Sequence, residues 1–167
     1  MTQVAEKATL YLVELKVDAD SLRPHCYTLY VDDDQPITLN RDIVVFTKKS
    51  VAKSALKDSD WSHFSAVPSK VSCVFDFTDA REALERKSRV KSDNLLNCLN
   101  AILDFMKCIQ VSIRPEHRRV LGSLADHLTF NMSFQKLLAQ DPDFRVKVVK
   151  AFDWTMKQFL AHLHVFA

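Results

Sequence analysis

Thiols and imidazoles are the side chains best able to do chemistry near neutral pH, and the chain holds four cysteines and six histidines. One pair is adjacent, His25-Cys26. It falls within HCYTLYV, a run of β-formers, and consecutive side chains of a strand point to opposite faces, so the imidazole cannot take the thiol proton. His162 and His164 lie two apart on what reads as a helix, about 200° around its axis, whereas a metal pair wants i, i+4 on one face. His117 and His127 share no face either. Cys26, Cys73, Cys98 and Cys108 sit in apolar runs without CxxC spacing, which predicts buried free thiols in a reducing compartment rather than zinc ligands or a disulfide framework. Asp32-Asp33-Asp34 lacks the alternation, the glycine and the closing glutamate of a calcium loop.

Glycine is the most informative absence. Gly122 is the single one in 167 residues. Dinucleotide and phosphate loops need several glycines, as does the strained turn that presents a nucleophilic serine, so GxGxxG, GxxxxGK[ST] and GxSxG cannot occur. No cofactor and no metal site is expected, and an enzyme remains only as a site assembled from scattered residues.

Three surfaces remain as binding candidates. The segment 58–70 is a polar loop holding Trp61, His63 and Phe64, and loops of that length often carry function. Two basic clusters, Arg86, Lys87, Arg89 and Lys91, then Arg114, Arg118 and Arg119, flank the most apolar stretch of the chain. That stretch, Asp93 to Ile113, places Asn97, Asn100, Asp104 and Lys107 on one narrow arc of a helix that is otherwise apolar.

The elements that position these groups follow from periodicity. ATLYLVELKV (8–17), HCYTLYV (25–31) and DIVVFT (42–47) read as strands, the first two as an antiparallel pair. A helix behind Thr47 buries Val51, Ala52, Ala55 and Leu56. VSCVFDF (71–77), apolar on both faces, predicts a central strand. Thr78 then caps a helix, and from there the pattern stays helical: the apolar helix from 93, one starting at Pro115, a short one over 133–139, and a last one behind Asp141-Pro142 running to about Leu163.

The expected class is α+β: a small, mostly antiparallel mixed sheet with one helix over 1–77, then a multi-helix layer over 78–167 packed around the central apolar helix, as a single domain. The formal charge is only +2, split into −2 for 1–77 and +4 for 78–167, so no bulk field selects nucleic acid or membrane. No signal peptide and no membrane span is legible, which predicts a soluble cytoplasmic protein. The reading best supported is a non-catalytic protein-interaction module, an adaptor, inhibitor or immunity-type protein whose partner is another protein. A nucleic-acid-binding regulator using the basic clusters is the second reading. Trp154, off the main stripe of the last helix, leaves room for a homodimer.

Overall fold

Apolar and aromatic β-formers dominate the first two strands, and the backbone pairs them with each other. The computed structural model describes residues 8–18, 25–32, 35–58, 64–85, 92–130 and 134–167. Strand β1 (Leu10–Lys16) runs antiparallel to β2 (His25–Val31), with Leu10 opposite Val31 and Lys16 opposite His25. After β3 (Gln35–Pro36), which returns on β2, β4 (Thr38–Leu39) and β5 (Asp42–Phe46) form a hairpin. Its two turn residues, Asn40 and Arg41, have φ of 53° and 71°. Left-handed backbone at both positions is what a two-residue hairpin turn requires, here achieved without glycine. Helix α1 (Lys49–Asp58) follows, then β6 (Val71–Asp76). The sheet order is β4-β5-β2-β1-β6, with β3 on β2.

Two expectations about strands are corrected. The run 71–77 is not central: β6 lies at the end of the sheet order, and Ser72, Cys73 and Val74 are all exposed. An apolar run by itself does not distinguish a strand flanked on both sides from one at an edge. The last helix also stops short of Leu163. The chain instead enters a short strand, β7 (Leu163–Phe166), parallel to β5, with Ile43 opposite Leu163 and Phe46 opposite Phe166. Thr47 N–H donates to the Phe166 carbonyl at 3.0 Å, and the rings of Phe46 and Phe166 stack at 5.6 Å. The chain thus leaves the sheet after β6 and comes back to it beside β5. Two compact units result, one of Met1–Val74 with Leu163–Ala167, the other of Phe75–His162.

Leu10, Leu12, Leu29, Ile37, Val44, Phe46 and Ala52 form a buried cluster in the sheet unit, with Val51, Ala55 and Leu56 of α1 packed against it. The helical unit contains α2 (Phe77–Glu85), α3 (Ser92–Cys108), α4 (Pro115–Thr129), α5 (Phe134–Gln140) and α6 (Phe144–Ala161). Helix α3 touches α2, α4 and α6, which its wide apolar face requires. Three fully buried or nearly buried rings tie these helices together: Phe77 lies 6.2 Å from Phe105 and 6.1 Å from Phe159, and Phe105 stacks on Phe159 at 4.7 Å. Burying each such ring stabilises by about 1.5–3 kcal/mol. On the outside, Arg81 of α2 makes a two-point bond to Asp153 of α6 at 2.5 and 3.1 Å.

The starts of α2 and α6 differ from the sequence reading, the first falling earlier and the second later. Asp76, not Thr78, caps α2: its carboxylate accepts the Asp79 N–H at 2.9 Å, the reach of an N-cap to the third helical residue. Asn94 of α3 then grips the same junction. Its Oδ1 accepts the Asp76 N–H at 3.2 Å, and its Nδ2 donates to the Asp76 carbonyl at 2.9 Å and to Asp79 Oδ2 at 3.1 Å. At the last helix, Asp141 and Pro142 belong to a turn before α6. The Asp141 carbonyl accepts the Phe144 N–H at 3.0 Å, its carboxylate accepts the Asp143 N–H at 3.1 Å, and Lys147 Nζ bonds it at 2.7 Å. The Lys147 ammonium holds that carboxyl below the usual carboxylate range.

Gly122 sits inside α4, where a built Cβ would meet nothing within 4 Å. Gly122→Ala should therefore stabilise the helix by about 1 kcal/mol, raising the melting temperature by about 2–4 °C on thermal denaturation. Asn94→Ala should cost about 1–3 kcal/mol, because it removes the two hydrogen bonds that Asn94 makes to the Asp76 peptide group. Asn97→Ala, one turn along on the exposed face, should stay within about 0.5 kcal/mol of wild type. Urea melts of the two variants make the comparison.

Candidate functional site

Helix α3 ends through its own backbone. Val111 N–H donates to the Met106 carbonyl at 3.1 Å, and Gln110 N–H to the Lys107 carbonyl at 3.1 Å. This crossed pair is the Schellman arrangement, which needs a left-handed residue between helix and exit. Gln110 supplies it, with φ of 58°, in the place glycine usually takes. The chain then runs extended through Val111, Ser112 and Ile113. Arg114 holds the N-cap position of α4 without a side-chain cap, and Pro115 opens the helix, where its missing N–H costs nothing.

A half-open groove of about 390 Å³ lies along this reversal, lined by Leu103, Met106, Lys107, Gln110, Val111, Ser112, Ile113 and Arg118. Its floor is aliphatic: Met106 and Ile113 are buried, and Leu103 and Val111 half-buried. Its rim is polar and cationic. Lys107 is exposed and reaches Asp104 Oδ1 only at 3.5 Å. Arg118 is exposed and pairs with none of the described residues. Apolar floors with a few fixed polar groups are the usual composition of binding sites.

The structure thus brings together two residues that the sequence reading kept in separate sets, Lys107 of the polar arc and Arg118 of the second basic cluster. Of the rest of the arc, Asn97 and Asn100 are exposed and Asp104 is half-buried. Of the rest of the cluster, Arg119 is exposed, and Arg114 lies over the Trp154 ring, 5.6 Å from its centre. His117 is buried, 6% exposed, and meets the same indole at 5.5 Å, with no hydrogen-bond partner for its Nε2 among the described residues. Trp154 therefore lies off the stripe of α6 because it contacts the first turn of α4. Trp61 and His63, like Arg86, Lys87, Arg89 and Lys91, lie outside the described residues. Phe64 is half-buried and packs on the sheet cluster. The groove itself was missed by the sequence reading, although the apolar residues after Cys108 were visible within the run.

The groups with reactive potential are placed as follows. His25 is exposed and bonds Glu14 at 2.8 Å, while Cys26 is buried on the other face of β2. Burial, with Glu14 nearby, pushes the Cys26 thiol up to about 11, and burial beside Asp76 and Asp79 pushes Cys98 well above the ordinary thiol range. Both are protonated packing groups at neutral pH, not thiolates. His127 and His162 donate from Nδ1 to the Ser123 and Gln158 carbonyls, each at 2.8 Å. Among the described residues, no three His, Cys, Asp or Glu side chains cluster closely enough to hold a metal ion, and no helix is long and apolar enough to cross a membrane.

No protein-family model and no curated protein matches the chain. A solved structure does: the crystal structure of the SatS C-terminal domain in complex with bromine, with a TM-score of 0.56, 18% identity and 94% of each chain covered. At that identity the likeness is one of fold.

Replacing Gln110 tests the geometry that makes the groove. A left-handed residue with a Cβ costs about 1–2 kcal/mol, part of which glycine gives back as unfolded-state entropy. Gln110→Gly should stabilise the protein by about 0.5–1 kcal/mol, read as a higher urea midpoint at unchanged slope. A destabilised variant would show that the reversal is not formed as described.

Proposed function

We propose that the chain is a non-catalytic interaction module that holds a segment of another protein in the groove where α3 turns into α4. The observation that carries this reading is the groove's construction: an aliphatic floor fixed by the buried Met106 and Ile113, and the exposed cations Lys107 and Arg118 in its lining. Such a surface is preorganised, so little entropy is lost in ordering it on binding. Burial keeps Cys26 and Cys98 protonated, so neither is a thiolate nucleophile at neutral pH. No two of the four cysteines are joined in a disulfide, and Cys73 is exposed, which suits a reducing compartment such as the cytoplasm.

A photo-crosslinking residue placed at Ser112, on the exposed rim, should capture at least one protein in host lysate. The same residue at Lys53, exposed on α1, should not capture that protein. Ile113→Glu, which puts a charge into the groove floor, should abolish the crosslink from Ser112. Identical capture from both positions, or capture that survives Ile113→Glu, would refute the reading.

A further inference from the structure

The groove's occupant can be narrowed by charge. Residues 103–119 carry Lys107, Arg114, Arg118 and Arg119 against Asp104 and Glu116. Arg114 is spent on the Trp154 ring, and Lys107 holds Asp104 only loosely, at 3.5 Å. Arg118 has no described partner for its guanidinium, and it lines the groove together with Lys107. An arginine fork free of intramolecular partners matches a carboxylate by two parallel bonds. The same groove is lined by Leu103, Met106, Val111 and Ile113, which can cover only apolar side chains without stranding polar groups.

We propose that the groove selects an acidic amphipathic segment of a partner protein, one that sets aliphatic side chains on the floor and a carboxylate against Arg118 and Lys107. This rests on the docking reading above and adds the sign of the partner's charge. Single-stranded nucleic acid offers negative charge too, but its bases are held by stacking on aromatic rings, and none of the described residues lining this groove is aromatic. The aliphatic floor matches Leu or Met anchors instead. Selection would come from both parts at once. A basic segment meets like charge at the rim, and an acidic segment without apolar residues leaves the floor wet.

Three fluorescent peptides test this on the full chain: one of alternating Leu and Glu blocks, one with Lys for Glu, and one with Ser for Leu. Fluorescence anisotropy should show binding of the Leu/Glu peptide alone, weakening at least 10-fold between about 50 and 200 mM salt, the direction expected when ion pairs contribute. Lys107→Glu/Arg118→Glu should lose the Leu/Glu peptide by at least 10-fold and gain the Leu/Lys peptide. That reversal cannot arise from a fold defect, and unchanged thermal melts of this exposed pair give a second control. Equal binding of the acidic and basic peptides by the wild type, or of neither, overturns the proposal. A Ser112 crosslink that still depends on Ile113 would then leave the docking reading standing. Tighter binding of an oligothymidine probe than of the Leu/Glu peptide overturns it in favour of nucleic acid. A Ser112 crosslink to the chain itself overturns it in favour of a second copy.

Discussion

The groove exists because α3 stops at Cys108 although its apolar sequence does not. Ile109, Val111 and Ile113 continue the hydrophobic run, and a helix extended through them would have placed Ile113 more than a turn further along the same axis. One residue in the left-handed region, Gln110, ends the helix, and two backbone bonds across it, Val111 to Met106 and Gln110 to Lys107, satisfy carbonyls that would otherwise be left open. The reversal turns Val111 and Ile113 from helix-stripe residues into the second wall of a groove whose first wall is Leu103 and Met106. It also brings α4 to start beside the end of α3, so that Lys107 and Arg118, eleven positions apart in sequence, line the same opening.

Glycine scarcity explains why this stop was invisible in the sequence. A helix end is ordinarily announced by glycine or asparagine just past the last periodic residue, and here the residue is glutamine. The run from Asp93 to Ile113 therefore reads as one helix, continuing five residues past the end of the helix observed. The same scarcity hides the hairpin turn at Asn40-Arg41, where asparagine signals the first left-handed position and arginine signals nothing. The one glycine sits in the middle of α4, where no positive φ is called for. Strand and helix types were legible where periodicity was clear, as in β1, β2, β5 and the apolar faces of α3 and α6. β7 was not: His164, Val165 and Phe166 continue from a helix with no proline or glycine between them, and what makes them a strand is the edge of β5 beside them.

Polar residues on α3 show why the site could be read only in part. Asn94, Asn97 and Asn100 recur every three positions and look alike in sequence. Asn97 and Asn100 are solvated, while Asn94 uses its carbonyl and its amino group on the Asp76 peptide and the Asp79 carboxylate. A carboxamide can match a peptide group at two points because it carries one acceptor and two donors in the same plane. Which asparagine does so is decided by the neighbour it meets, and no pattern within α3 encodes that neighbour. Arg118 and Arg119 are likewise adjacent arginines, and only the first lines the groove.

The energetics of the rim follow from where it lies. Exposed ion pairs contribute about 0–1 kcal/mol because water screens them and two long side chains must be ordered. Arg114 illustrates a different use of charge, its guanidinium lying on an indole, an arrangement worth about 0.5–1 kcal/mol at an exposed site. Neither figure makes the rim a strong binding surface by itself. In the proposed complex the floor would add about 25 cal/mol for each Å² of apolar surface removed from water. A ligand seated on that floor also displaces water from around Lys107 and Arg118, and the lower local dielectric strengthens every charge contact it makes there. In the proposed complex floor and rim would thus be coupled: the aliphatic contact would set the affinity, and the charge contact it dries out would set which sequence is accepted.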